Sequence, residues 1–211
     1  MSTYNEVDVE CPQCGEEFRA VVWTAVHAGE DPELKDVLLG GELNMVCCTF
    51  CGHVFFREQF LLYQDPDEEL VAYVYREDEK DRAAELRPMM LKGFAEAQAA
   101  FEEKDRFKYE PVLLFGLESL VEFLEGEQEQ KDQADVAAAI CREQDIPFRS
   151  ISPGAARKKR LPLVLPLGNP SERPARDEVL AGLGRLLKEN PALDFYQKTR
   201  QEIEKDKEWK L

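Results

Sequence analysis

Two short cysteine turns, Cys11-Pro12-Gln13-Cys14-Gly15 and Cys48-Thr49-Phe50-Cys51-Gly52, constrain this chain more than any other feature of its sequence. A C-x-x-C spacing puts two thiolates on one tight turn, and two such turns supply the four soft ligands of a tetrahedral metal site. Gly15 and Gly52 can take positive φ, which lets the chain curl back and aim backbone N–H groups at the sulfurs. Pro12 suits the second position of such a turn because its φ is fixed. Any fold open to this sequence must therefore bring Cys11, Cys14, Cys48 and Cys51 to one point.

Zinc is the expected cofactor. Four thiolates leave no open position for water, so the metal is expected to be structural rather than catalytic. Iron suits the same sulfur geometry, but nothing in the sequence points to an electron-transfer partner. A thioredoxin-type dithiol at Cys48 and Cys51 calls for a helix N-terminus, whereas this pair lies between two strand patterns. Of the two remaining cysteines, Cys141 sits on an Ala-rich helical face and reads as core packing. Cys47 adjoins Cys48 and could compete for the metal, yet only Cys48 has the knuckle spacing to Cys51.

Charge narrows the partners. Against 27 Lys plus Arg stand 43 Asp plus Glu, a formal charge of −16, which repels phosphate backbones and disfavours nucleic acid. The run Arg157-Lys158-Lys159-Arg160 is the exception; it reads as a solvated loop, with an anionic-ligand site as the functional alternative. The first residues form no signal peptide, and no apolar run approaches a membrane span, so a soluble, cytoplasmic protein without membrane contact is expected. Six cysteines grouped as paired C-x-x-C turns agree with metal ligation in a reducing compartment. His27 and His53 are the only histidines, and no nucleophile elbow or phosphate-cradling loop accompanies them, so no catalytic residue is singled out.

Along the chain, Val7 and Val9 alternate with acidic residues as a strand into the first turn, and 18–23 returns from it. Asp31 as N-cap, Pro32 in the first turn and Gly40-Gly41 as the stop bound a helix over 32–39. Strands are expected over 43–46 and 54–56, flanking the second turn, and over 60–63 and 70–75, making an antiparallel unit. The charge run 77–82 reads as a linker or the exposed start of a helix. Beyond it come a short strand at 111–115, a helix at 117–124, a polar break at 125–131, and an Ala-rich helix at 132–144. An edge strand or extended packing segment follows at 161–166, then two helices over 174–188 and 191–207.

The order CPQCGEEF, a Trp-containing strand, DPELKDVLLGGELN, CTFCGHVF and LLYQDPDEELVAYVY resembles the CpXC domain, a bacterial family named for its cysteine motif. The resemblance covers 11–75 and extends loosely to about 123; it implies a zinc-ribbon-like module, with ligands at Cys11, Cys14, Cys48 and Cys51 and no assigned activity. Thr49 stands where the family usually repeats proline. The expected fold class is α+β: an N-terminal antiparallel β zinc ribbon with an inserted helix over 1–80, then a C-terminal α/β region ending in helices over 81–211. The expected role is protein interaction or scaffolding with a protein partner. An enzyme with its site in the C-terminal region and a nucleic-acid-binding ribbon are the competing classes.

Overall fold

Alternating valines do form the first strand, β1 (Thr3–Glu10), which pairs antiparallel with β2 (Glu17–His27) across the first cysteine turn. Helix α1 (Pro32–Leu39) follows and stops at Gly40-Gly41, where Gly41 takes φ 72°. Asp31 occupies the N-cap position but caps no helix N–H; its carboxylate accepts the Ser2 N–H instead, at 2.9 Å. The second cysteine turn joins β3 (Met45–Cys47) to β4 (Val54–Phe56) in a separate antiparallel hairpin. Strands β5 (Leu61–Asp65) and β6 (Leu70–Tyr75) come next, then a 3₁₀ turn at Glu77–Arg82, helix α2 (Ala83–Ala99) and β7 (Val112–Phe115). The computed structural model describes residues 1–103, 106–171 and 174–211.

The five-stranded sheet has the order β1-β2-β5-β6-β7 and is mixed, not antiparallel as the strand pattern suggested. β2 and β5 are parallel, as are β6 and β7, while β1/β2 and β5/β6 are antiparallel. The reason lies in the connections. Between β2 and β5 the chain makes α1 and the whole β3–β4 hairpin, and between β6 and β7 it makes α2. Such long crossovers return a strand in the direction it left, whereas a tight turn reverses it.

Helix α3 (Leu117–Glu143) is continuous, so the polar break expected at 125–131 does not exist. Glu, Gln and Lys are good helix formers, and Gly126 costs only about 1 kcal/mol relative to alanine, too little to end a helix of this length. After α3 come β8 (Phe148–Ser150), α4 (Pro153–Lys159), β9 (Val164–Pro166), α5 (Arg176–Glu189) and α6 (Asp194–Lys205). Most of the basic run 157–160 is thus the last turn of a helix rather than a loop. Cations there complement the helix dipole, and Arg157 is further committed to Glu127 at 3.1 Å, with both side chains largely buried.

The chain divides into two compact units, Met1–Leu124 and Glu125–Leu211. In the first, Leu38 of α1 and Leu117, Leu120 and Leu124 of α3 share a core with Leu61, Tyr63, Leu70, Ala72 and Val74 of the sheet. A second, smaller cluster of Val9, Cys11, Phe18, Val22, Val46 and Cys48 lies around the cysteine turns. The other unit has its own core, where Cys141 is buried among Ala137, Leu165, Leu183 and Tyr196. Burial pushes the Cys141 thiol up to about 11, which keeps it neutral, as a packing residue should be.

Candidate metal centre

The two cysteine turns adopt the same backbone conformation. In the first, the Gly15 N–H donates to the Cys11 carbonyl (2.9 Å) and the Cys11 N–H to the Glu16 carbonyl (3.0 Å). In the second, the Gly52 N–H donates to the Cys48 carbonyl (2.9 Å) and the Cys48 N–H to the His53 carbonyl (2.8 Å). Gly15 and Gly52 lie at φ 75° and 72°, left-handed values that a side chain disfavours. Each turn thus sits at the tip of a hairpin, one made by β1 and β2, the other by β3 and β4, with its first cysteine buried and its second exposed.

The hairpin tips meet, and the four sulfurs lie within 4.8 Å of one another. Cys11 Sγ is 3.6 Å from Cys51 Sγ, and Cys14 Sγ is 3.7 Å from Cys48 Sγ, each contact crossing between turns. These separations are far longer than a disulfide, at about 2.05 Å, and close to the edge of about 3.8 Å of a tetrahedron of sulfurs around a zinc ion. The donor set and its spacing therefore fit a tetrahedral thiolate-binding metal. Backbone N–H groups point at the sulfurs as such a site requires: those of Gln13 and Cys14 at Cys11, that of Glu16 at Cys14, and that of His53 at Cys51.

Without a cation, four thiols this close cannot all ionise. Burial works against ionisation at Cys11, but the N–H groups of Cys14 and Gln13 and the neighbouring thiols outweigh it and bring Cys11 down to about 7. At Cys14 the Glu16 N–H favours the thiolate, yet burial and the thiols of Cys51, Cys11 and Cys48 push it up to about 12. Cys51 is raised as well: the His53 N–H is outweighed by burial and by Cys11 and Cys48. A divalent ion would offset the burial and thiol crowding that hold Cys14 and Cys51 protonated.

Cys47 lies outside the cluster. It is exposed on β3, with its thiol directed at the carbonyls of Gly52 (3.7 Å) and Cys48 (3.9 Å). His53 stacks on Phe55 with ring centres 5.9 Å apart and supports its turn through its backbone.

The same layout identifies the chain at the level of family, because the CpXC protein family matches residues 9–134, more than half of the sequence. The chain belongs to the CpXC family. No curated protein and no solved structure matches it. The matched segment of this CpXC protein takes in both cysteine turns, β2, β5, β6 and β7 of the five-stranded sheet with the end of β1, and the greater part of α3.

Asn44 also positions the site, and sequence reasoning passed over it. Along β2 the ladder to β5 starts only at Ala25, so the Trp23 N–H would lack a partner on that side, while the Trp23 carbonyl also accepts from the Gln59 amide at 2.8 Å. The Asn44 amide replaces the missing strand: its oxygen accepts the Trp23 N–H at 2.7 Å, and its nitrogen donates to the Trp23 carbonyl at 3.1 Å. Asn44 has φ 63°, a conformation asparagine tolerates better than most residues, and its own carbonyl accepts the Arg57 N–H just past β4. It thereby ties the second hairpin to the strand that carries the first. Asn44→Ala removes two partly buried hydrogen bonds and strains φ, and is expected to cost about 2 kcal/mol; a denaturant midpoint unchanged from wild type would refute this role. The signal in the sequence was an asparagine directly after Gly40-Gly41-Glu42-Leu43, where a left-handed residue before a strand is plausible.

Proposed function

We propose that Cys11, Cys14, Cys48 and Cys51 hold one structural zinc ion, and that this CpXC protein works as a protein-interaction module whose shape that ion fixes. The zinc reading rests on the convergence of two matched turns at tetrahedral edge distances. With four thiolates bound, the ion has no position for substrate, so its contribution is to fasten two hairpins together. The N-terminal part would then be a zinc ribbon, its two turns serving as the paired knuckles.

One observation carries the interaction reading. On the β3–β4 hairpin, Val46 and Phe55 face inward, while the cross-strand pairs Met45–Phe56 and Cys47–Val54 share the outer face. All four outward residues are exposed, and Phe50 at the tip is 62 % exposed. Continuous apolar surface on a two-stranded hairpin is unusual for a free face and typical of a protein contact. The overall charge disfavours nucleic acid as that partner. Among the described residues no helix is long and apolar enough to cross a membrane.

Metal analysis of purified protein tests the site. One zinc per chain is expected, retained in Cys47→Ser and lost in Cys48→Ser; iron in place of zinc, or retention in Cys48→Ser, would overturn the assignment. For the interaction, a Met45→Ser/Phe50→Ser/Phe56→Ser variant should keep its zinc while losing whichever protein cross-links to the wild-type hairpin. Salt-sensitive capture of RNA or DNA by the wild type would favour the nucleic-acid reading instead.

A further inference from the structure

Within the first unit a cleft of about 710 Å³ lies where the second hairpin, the 3₁₀ turn and the start of α3 meet, with Phe56, Leu117 and Val121 as apolar walls. Glu58, Glu77, Glu118 and Glu122 line it as well, and among the described residues of its walls Lys80 is the one cation. Phe56 belongs to two surfaces: it lines the cleft and, opposite Met45, it is exposed on the outer face of the β3–β4 hairpin. The apolar face proposed above for protein contact therefore runs directly into an acidic cleft.

The fold brings these carboxylates together from three segments. Glu58 follows β4 and accepts the N–H of Glu77, which opens the 3₁₀ turn, at 2.8 Å. Both close over Gly116, at φ 77° just before α3: an added Cβ there would lie 3.1 Å from Glu77 Oε2 and 3.8 Å from Glu58 Oε1. Lys80 is already committed to Glu77, at 3.0 Å. Glu118 and Glu122 stand four apart on one face of α3, both exposed, a spacing at which like charges repel. The helix dipole accounts for Glu118 in the first turn but not for Glu122, one turn further on. A metal ion does not account for the group either, because among the described residues the four cysteines are the one set of His, Cys, Asp or Glu side chains drawn tightly enough to hold one. Carboxylates spread along a cleft match cations that are themselves spaced along a chain.

We propose that the hairpin face and this cleft together bind one basic and apolar segment of a partner protein, with its large apolar side chains on Met45 and Phe56 and its lysines or arginines among Glu58, Glu77, Glu118 and Glu122. The aliphatic stems of those cations would cover Leu117 and Val121 while their charged ends reach the carboxylates. Complementary charge at the edge of an apolar contact selects the partner and speeds its encounter. A second copy of the chain is a poor occupant, since each copy carries a formal charge of −16. The inference rests on the interaction reading of the hairpin and adds to it the chemistry of the partner.

Selection from a random linear-peptide library on the full chain tests it, with the enriched peptides then titrated by fluorescence polarisation at constant ionic strength. Enriched peptides are expected to combine lysine or arginine with large apolar residues. Glu118→Gln/Glu122→Gln should weaken their binding by about fivefold or more at an unchanged melting temperature. Glu202→Gln/Glu208→Gln, exposed positions in the second unit, removes the same charge and should leave binding as in wild type. Met45→Ser/Phe56→Ser should weaken it as well. No enrichment, enriched peptides without cations, or equal loss in the two glutamine variants overturns the proposal. Full binding in Glu118→Gln/Glu122→Gln with loss in Met45→Ser/Phe56→Ser overturns the cleft's part while the hairpin reading stands. The reverse pattern overturns the shared surface and the hairpin reading with it. Spermidine displacing the peptides as effectively as unlabelled peptide would assign the cleft to small polyamines and overturn the protein partner.

Discussion

Chelation of the zinc ion proposed for the four cysteines is expected to abolish amide protection across β1, the first half of β2 and the β3–β4 hairpin, while residues 125–211 keep theirs. A structural zinc contributes on the order of 10 to 16 kcal/mol in small finger peptides, as much as the entire ~5 to 15 kcal/mol net stability of a typical domain. The cluster around the cysteine turns has only six buried residues, and two of them, Cys11 and Cys48, are thiols of the site. Two hairpins joined by so little apolar surface would hold their tips together weakly without an ion, the Phe18–Phe55 contact and the Asn44 bonds to Trp23 being the links that remain. The sheet farther from the site has a larger core built on Leu61, Tyr63, Leu70 and Leu120, so β5 and β6 should lose less protection than β3 and β4. Residues 125–211 have a separate core, which contains no part of the cluster. Hydrogen exchange with and without chelator decides the matter. Unchanged protection at the hairpin tips would mean that no metal fastens them, and collapse through 125–211 would mean that the second unit does not stand on its own core.

Two glycines in α5, only two positions apart, should respond in opposite directions to alanine. In a helix interior glycine is less favourable than alanine by about 0.8 to 1 kcal/mol, so propensity alone favours both substitutions. At Gly184 that term wins, because the nearest atom to an added Cβ is the flexible end of Arg200, 4.0 Å away. At Gly182 an added Cβ would come within 2.3 Å of the Leu167 backbone nitrogen and 2.4 Å of the Pro166 carbonyl carbon and oxygen. That is the backbone leaving β9, held by the Leu167 N–H to Pro147 carbonyl bond at 2.7 Å and the Gly168 N–H to Glu178 carbonyl bond at 2.7 Å, so it cannot give way as a side chain would. Gly182→Ala is therefore expected to destabilise the protein by about 3 kcal/mol or more, overriding propensity, while Gly184→Ala stabilises it by about 0.5 to 1 kcal/mol. Denaturant unfolding of both variants measures this. Equal shifts of the same sign would show that α5 and the β9 segment do not approach as closely as described.

Much of the local structure was legible in the residues. Gly15 and Gly52 marked the left-handed positions of the two turns, Pro32 and Gly40-Gly41 bounded α1, and the β-branched and aromatic run after the Asp65-Pro66 turn marked β6 over 70–75 to the residue. These signals are local: a turn that requires positive φ, or a strand with one buried face, writes its requirement within a few neighbouring positions. The two cysteine turns could be read for the same reason, since each C-x-x-C pair with its glycine sits inside five consecutive residues.

Whatever depended on distant partners was not legible. The mixed sheet follows from how long crossovers return strands, and β7 joins β6 although α2 lies between them. A polar stretch at 125–131 looked like a break because its apolar periodicity lapses, yet its residues are good helix formers and α3 runs through them. Arg157 became a structural cation only when α3 brought Glu127 beside it, and Asn44 became a surrogate strand only because β2 lacked a partner at Trp23. The sequence by itself determined which side chains could ligate a metal and where the chain had to turn. Tertiary structure alone decided that the two turns meet and that Gly182 lies against the backbone leaving β9, because each of these depends on contacts between segments far apart in the chain.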